Sequence, residues 1–289
     1  MKRSLTPDEL FPAERPDVVQ RFVDLPSGVR LRVVESRGRA SDGRSILMLH
    51  GWGACLYGFR HAFGALGERR VVAADLRGFG LSAKPTARGS YTLDAYVDDV
   101  RALIEQLGLE QPALMGHSMG GGLALRFALR HASSISRLVL INPTGLARIS
   151  FLAGARLVPQ AGAALFDGPH VPRWLVAYTL RHIAYGNAKV VGERDVDEYW
   201  APTRLPGFVR AARATLSEFE WGALSAAEAA ALSVPGLVIL GTNDRLLHND
   251  RVAAGRLANV SVCSLEGGHC VHEENPTAAY AAIRDFLER

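Results

Sequence analysis

In Pro112-Ala113-Leu114-Met115-Gly116-His117-Ser118-Met119-Gly120 a short apolar run ends in G-x-S-x-G, and a helical run from Gly121 to Arg130 follows at once. A serine on so tight a strand-to-helix turn is held in a strained backbone conformation, which needs glycine two residues to either side because a side chain there would clash. The turn exposes the serine hydroxyl above the sheet, and the helix N-terminus behind it favours developing negative charge. Ser118 is therefore the candidate nucleophile, provided that the rest of the chain supplies a base and an orienting acid.

Outward from this turn, short β-branched or aliphatic runs alternate with helical ones. The predicted strands are Val29 to Glu35, Ser45 to Leu49, Arg70 to Ala74, Pro112 to Met115, Leu138 to Ile141, Gly236 to Leu240 and Val260 to Leu265. Runs such as Ile46-Leu47-Met48-Leu49 and Leu237-Val238-Ile239-Leu240 are apolar at every position, as strands covered on both faces by helices must be. Between Thr92 and Leu107 the apolar residues Leu93, Tyr96, Val97, Val100, Leu103, Ile104 and Leu107 recur at helical spacing, with Thr92 as N-cap. The alternation predicts an α/β fold with right-handed crossovers.

From Gly145 to Leu232 the alternation stops and helical composition takes over, so residues 145–232 are expected to be a helical cap inserted in a core made of 1–144 and 233–289. This stretch holds ten of the chain's 22 aromatic residues: Phe151, Phe166, Trp174, Tyr178, Tyr185, Tyr199, Trp200, Phe208, Phe219 and Trp221. They suit both the packing of small helices and an apolar lid over a pocket. The Ala-rich stretch Ala223 to Ala231 is predicted helical, ahead of Pro235.

With 289 residues, 48% of them hydrophobic, and a net charge of +4, the chain has the composition of a globular protein, which excludes disordered and fibrous classes. The basic residues are scattered, with no Lys/Arg run and no basic-aromatic interleaving, so no nucleic-acid partner is expected. Cys55, Cys263 and Cys270 cannot all pair and have no ligand spacing. The start, Met1 to Glu9, has no apolar stretch behind its basic residues, and no apolar run approaches the roughly 18 to 20 residues of a membrane span. A cytoplasmic location, without membrane contact, is the expectation. No phosphate-cradling loop, haem attachment motif or HExxH pattern occurs, so neither cofactor nor metal is expected. Monomer and homodimer both remain open.

A serine hydroxyl needs a general base, and the base needs a carboxylate to orient it. Gly241-Thr242-Asn243-Asp244 follows one predicted strand and Gly267-Gly268-His269 follows the next, which places Asp244 and His269 beyond strand C-termini, where open α/β sheets build their sites. His272 is a weaker candidate base, since it falls in the run into the last helix. An oxyanion formed at Ser118 needs N–H donors. Met119, just after the serine, supplies one, and Trp52 in the loop His50-Gly51-Trp52-Gly53 supplies the other. His50 is read as a residue that holds this loop by hydrogen bonding, and Cys270 as a packing residue.

Taken together, His50-Gly51-Trp52-Gly53, Asp75-Leu76-Arg77-Gly78-Phe79-Gly80-Leu81-Ser82, Gly116-His117-Ser118-Met119-Gly120-Gly121, Gly241-Thr242-Asn243-Asp244 and Gly267-Gly268-His269 with Glu274-Asn275-Pro276 resemble the α/β-hydrolase superfamily, over about residues 20–289. The resemblance implies an eight-stranded, mostly parallel sheet flanked by helices, with a helical cap after the sixth strand. It casts Ser118 as nucleophile, His269 as base, Asp244 as its orienter, and Trp52 and Met119 as oxyanion donors. It makes Asp75 and Arg77 structural, a turn pinned by an ion pair. Members that act through a carboxylate nucleophile, the haloalkane dehalogenases and epoxide hydrolases, differ from this chain at Ser118. Members with the acid after the sixth strand differ at Asn142-Pro143.

The expected activity is hydrolysis of a carboxylic ester of a small to medium, largely apolar small-molecule substrate. The alternatives are a C–C hydrolase of the meta-cleavage-product type, a lactonase, or a ligand-binding receptor on the same fold. Ile141-Asn142-Pro143-Thr144-Gly145-Leu146 suits the C–C hydrolases as well as esterases. Those enzymes, however, carry a glycine-rich loop where this chain has Trp52, and a tryptophan where it has Val271 and His272.

Overall fold

The computed structural model describes residues 3–36, 44–146, 171–247 and 251–289. Eight strands form one sheet: β1 (Val18–Asp24), β2 (Arg30–Ser36), β3 (Ser45–Leu49), β4 (Arg70–Ala74), β5 (Ala113–His117), β6 (Arg137–Ile141), β7 (Gly236–Gly241) and β8 (Val260–Leu265). Their order is β1-β2-β4-β3-β5-β6-β7-β8. β2 runs antiparallel to both β1 and β4, and every other pairing is parallel. The predicted strands agree to within two residues at each end. β1 has no counterpart among them, because it is an edge strand whose residues are half exposed and carry no continuous apolar run.

The period-2 alternation of the central strands feeds two cores. Leu47, Leu49, Val72, Ala74, Leu114, Leu138, Leu140, Val238 and Leu240 face one way, onto α2 (Leu93–Gln106) and α3 (Met119–Arg130). Ile46, Met48, Val71, Ala73, Met115, Val139, Ile141, Leu237 and Ile239 face the other way. There they meet α1 (Ala62–Ala65), the short α9 (Val271–Glu274) and the C-terminal α10 (Pro276–Glu288). The Thr92 hydroxyl accepts from the Ala95 N–H and caps α2, as the sequence predicts.

Between β6 and β7 the described residues 171–232 are helical without a strand. They comprise α4 (Arg173–Tyr178) running into a π-helical turn (Thr179–Ala184), then α5 (Glu193–Trp200), α6 (Phe208–Glu218) and α7 (Ala226–Ala230). α7 is shorter than the Ala-rich stretch because Ser225 starts it: its hydroxyl accepts from the Glu228 N–H while the Glu228 carboxylate accepts from Ser225. Phe151 and Phe166 lie outside the described residues. Between β7 and β8 lies α8 (Arg251–Ala254). The chain leaves the central β3 toward β4 on one side and reaches β5 on the other. This reversal of strand order opens a crevice at the strands' carboxyl ends.

Candidate active site

Ser118 stands between β5 and α3 at φ 54°, ψ −117°, a region that a residue with a side chain adopts only when its surroundings force it. Its N–H donates to the Ile141 carbonyl, and its own carbonyl accepts from the N–H groups of Gly122 and Thr144, each at 3.0 Å. The flanking glycines follow from contact distances. A Cβ on Gly116 would stand 2.1 Å from the Gly120 carbonyl oxygen, and one on Gly120 would stand 2.1 Å from that of Leu49. The Ser118 hydroxyl makes no cap bond to α3.

The loops after β7 and β8 bring Asp244 and His269 together, with His269 Nδ1 2.8 Å from Asp244 Oδ2. The other carboxylate oxygen, Oδ1, accepts from the N–H groups of Leu246 (2.8 Å) and Leu247 (3.0 Å). Burial works to raise the Asp244 pKa, but the hydrogen bond and charge of His269 and the two backbone donors outweigh it and hold the carboxyl below its ordinary value. An ionised Asp244 fixes the Nδ1–H tautomer of His269 and leaves Nε2 as an acceptor.

The loop after β3 passes over Ser118 so closely that a Cβ on Gly51 would lie 3.0 Å from the Ser118 Cβ. Met119 opens α3, where backbone N–H groups have no intrahelical partner. The Trp52 indole N–H donates to the Ala212 carbonyl of α6, so this side chain straps the core loop to the cap. His50 holds the loop as expected: its Nδ1–H donates to the Gly51 carbonyl (2.7 Å) and its Nε2 accepts from the Leu76 N–H (2.9 Å). Burial lowers its pKa, which keeps the ring neutral. Asp75 and Arg77 are both ion-paired, to residues elsewhere. Asp75 faces Arg32 at 3.3 Å and accepts from the N–H groups of Leu56 and Leu81. Arg77 grips Asp99 of α2.

A cavity of about 420 Å³ lies over Ser118. Gly51, Trp52, His117, Ser118 and His269 form its core side. Leu175, Val176, Leu180 and Ile183, then Tyr199, Phe208, Leu216 and Trp221, form its cap side. No Lys, Arg, Asp or Glu occurs among the described lining residues. Its size falls in the roughly 300–1,000 Å³ range of small-molecule sites. Among the described residues no cluster of three or more His, Cys, Asp or Glu side chains could hold a metal ion, and no helix is long and apolar enough to cross a membrane.

Other residues at the site had no role in the sequence reading. His117 Nε2–H donates to the His269 carbonyl (2.9 Å), which also accepts from the Asn142 amide (2.9 Å). Asn142, to which the sequence assigns no bonding role, ties three strand ends together, since its Oδ1 accepts from Gly241 (3.0 Å). Glu273 accepts from the Tyr199 hydroxyl (2.8 Å) and pairs with Arg60, which also reaches Asp195 (3.0 Å). These partners are far apart in the chain, and no local spacing announces them. His272 is buried at 1% exposure with its Nδ1 unpartnered, and its ring packs against that of His117 at a 50° tilt.

A strand-serine-helix turn, a histidine-aspartate pair on the last two strand loops, and a mostly parallel eight-stranded sheet define the α/β-hydrolase class. Residues 44–276 match the model of the alpha/beta hydrolase fold family, and the chain belongs to that family. It is 30% identical over 257 residues to the magnesium-chelatase 30 kDa subunit of Rhodobacter capsulatus, covering 86% of this chain and 88% of that protein. It is 28% identical over 292 residues to the 2-hydroxymuconate semialdehyde hydrolase of a Pseudomonas species, covering 96% of each. Among solved structures, the epoxide hydrolase CorEH without ligand superposes with a TM-score of 0.79 at 25% identity, covering 94% of this chain and 99% of that one.

Proposed function

We propose that the chain is a serine hydrolase that cleaves carboxylic esters of small to medium, largely apolar molecules, with residues 145–232 acting as a lid over the core. The observation that carries this reading is the 2.8 Å contact between His269 Nδ1 and Asp244 Oδ2, at the edge of an apolar cavity whose floor is the strained Ser118. Ser118 Oγ attacks the ester carbonyl as its proton passes to His269 Nε2. The oxyanion is held by the backbone N–H groups of Met119 and Trp52. Collapse of the tetrahedral adduct expels the alkoxide, which takes the proton from His269 and leaves an acyl-Ser118. Water, deprotonated by His269, then attacks the acyl carbon, and the acid is released as His269 returns the proton to Ser118 Oγ. Ser118 in the elbow also separates this chain from hydrolases that use a carboxylate there, its structural likeness to an epoxide hydrolase notwithstanding.

Similarity to a 2-hydroxymuconate semialdehyde hydrolase favours C–C bond hydrolysis as a second reading. Against it, a carboxylate-bearing substrate would enter a cavity with no cation among its described lining residues. Ser118→Ala is expected to abolish both turnover of short 4-nitrophenyl esters and labelling by a fluorophosphonate. Full activity in that variant would overturn the assignment of Ser118, and a wild type that labels no faster than free serine would point to a receptor. Turnover of a vinylogous diketone acid in preference to simple esters and lactones would favour the second reading.

A further inference from the structure

One carboxylate sits in the seam between the loop that carries His269 and the cap. Glu274 Oε1 accepts from the Gly268 N–H at 2.6 Å, while Oε2 accepts from the N–H groups of Gly186 (2.9 Å) and Asn187 (3.0 Å) in the turn after the π-helical segment. Beside it the Cys270 N–H donates to the Ala184 carbonyl at 3.2 Å. The two backbones approach so closely that a Cβ on Gly268 would stand 2.3 Å from the Gly186 nitrogen, and a Cβ on Gly186 would stand 2.9 Å from the Gly268 nitrogen. Three N–H donors thus converge on one point, where only an acceptor with several lone pairs and a negative charge can satisfy them all.

We infer that Glu274 is a positioning residue: it fixes His269 through Gly268 and joins the histidine loop to the cap turn 184–187, so that the base is aligned only while the cap is seated. This rests on the reading of His269 as the general base. The remaining ties are separate from it. His117 and Asn142 hold the His269 carbonyl from the core side, and Glu273 reaches Tyr199 and Arg60 through its own side chain. Loss of the Glu274 carboxylate therefore loosens the cap side of the loop and leaves the core side intact.

In Glu274→Gln the amide nitrogen cannot accept, so at least one of the three N–H groups loses its partner. With a 4-nitrophenyl ester, kcat is expected to fall roughly 10- to 100-fold while KM stays within about twofold, as a misplaced base rather than a changed pocket requires. Hydrogen exchange by NMR is expected to quicken together at Gly186, Asn187 and Gly268, with β3 unaffected. Gly186→Ala keeps the carboxylate but wedges the seam open, and is read in the same way should the first variant not fold. Unchanged kcat, or exchange that quickens on one side of the seam only, overturns the inference. If the wild type neither hydrolyses esters nor labels with a fluorophosphonate, the reading of Ser118 and His269 fails and the positioning role falls with it. The exchange at the three amides still decides whether the joint exists.

Discussion

Ser118 and His117 show how much of the site is set by single residues. Holding a non-glycine residue at the backbone angles of Ser118 costs about 1–3 kcal/mol, which the hydrogen bonds to Ile141, Gly122 and Thr144 offset. His117 beside it is buried against His269 and His272, with ring centroids at 4.8 and 4.6 Å, and its Nε2–H is committed to the His269 carbonyl. Burial, reinforced by the neighbouring His269, pushes the His117 pKa down to about 3. The unfolded imidazole titrates near 6.5. Between these values only the unfolded chain takes up the proton, so the stability associated with neutral His117 is complete above pH 6.5 and is lost as the pH falls toward 3. Going from pH 7 to pH 5 should therefore cost about 2 kcal/mol through this group alone. His117→Gln is expected to lack that increment, whereas the burial that chiefly lowers the pKa values of His50 and His272 is kept in both proteins. Urea unfolding of both at pH 7 and pH 5 measures it, and equal losses on acidification would contradict a neutral His117.

The connection from β4 to α2 illustrates what an element needs beyond its own sequence. Asp75 receives the N–H groups of Leu56 and Leu81 and packs against Gly80, where any Cβ would stand 2.0 Å from the carboxylate. Arg77 spans to Asp99, with side chains only 6% and 3% exposed. Burial raises the Asp99 pKa despite its arginine partner, a sign that desolvation is costly there. Arg77→Leu should leave an uncompensated buried carboxyl and cost about 3–5 kcal/mol. Arg77→Leu combined with Asp99→Leu should recover much of that loss, because the charge left behind is gone. Urea or thermal unfolding of the single and double variants checks this, and a double variant no more stable than Arg77→Leu would show that the pair is not what fixes the element. Sequence reading placed this segment as structural, but could not assign the partners. Arg32 and Asp99 lie 43 and 22 residues from theirs, at separations that no helical or strand period encodes. The central strands were legible for the opposite reason: burial on both faces makes residues 46–49 of β3 and 237–240 of β7 apolar at every position. The same physics hid β1, whose exposed face allows polar residues. Asp244 and His269 could be read because strand ends and glycines mark them. Glu274, quoted only as part of a motif, acquires its partners through the folded chain.

At the scale of the whole molecule, cap and core meet around a cavity several of whose polar atoms are already engaged: the Trp52 indole with Ala212, the Tyr199 hydroxyl with Glu273, the Thr203 hydroxyl with Trp200. Among the described residues, what remains to meet a substrate is largely apolar and uncharged, with the neutral hydroxyls of Thr144 and Thr179 beside Ser118 and His269. An ionised carboxylate carried into such a space loses its hydration and gains no cation among the described lining residues, at a cost of several kcal/mol. The comparison that isolates this effect is 4-nitrophenyl hexanoate against mono-4-nitrophenyl adipate at pH 8. Their acyl chains are of equal length and differ in a terminal methyl or carboxylate. The neutral ester is expected to show a kcat/KM at least about 100-fold higher, since each 1.4 kcal/mol is tenfold. The penalty belongs to substrate entry and so falls on both the ground and transition states, which places it in KM more than in kcat. Turnover of the adipate within about threefold of the hexanoate would mean that a cation reaches the acyl site. It would also restore the carboxylate-bearing C–C substrates as the better reading of the cavity.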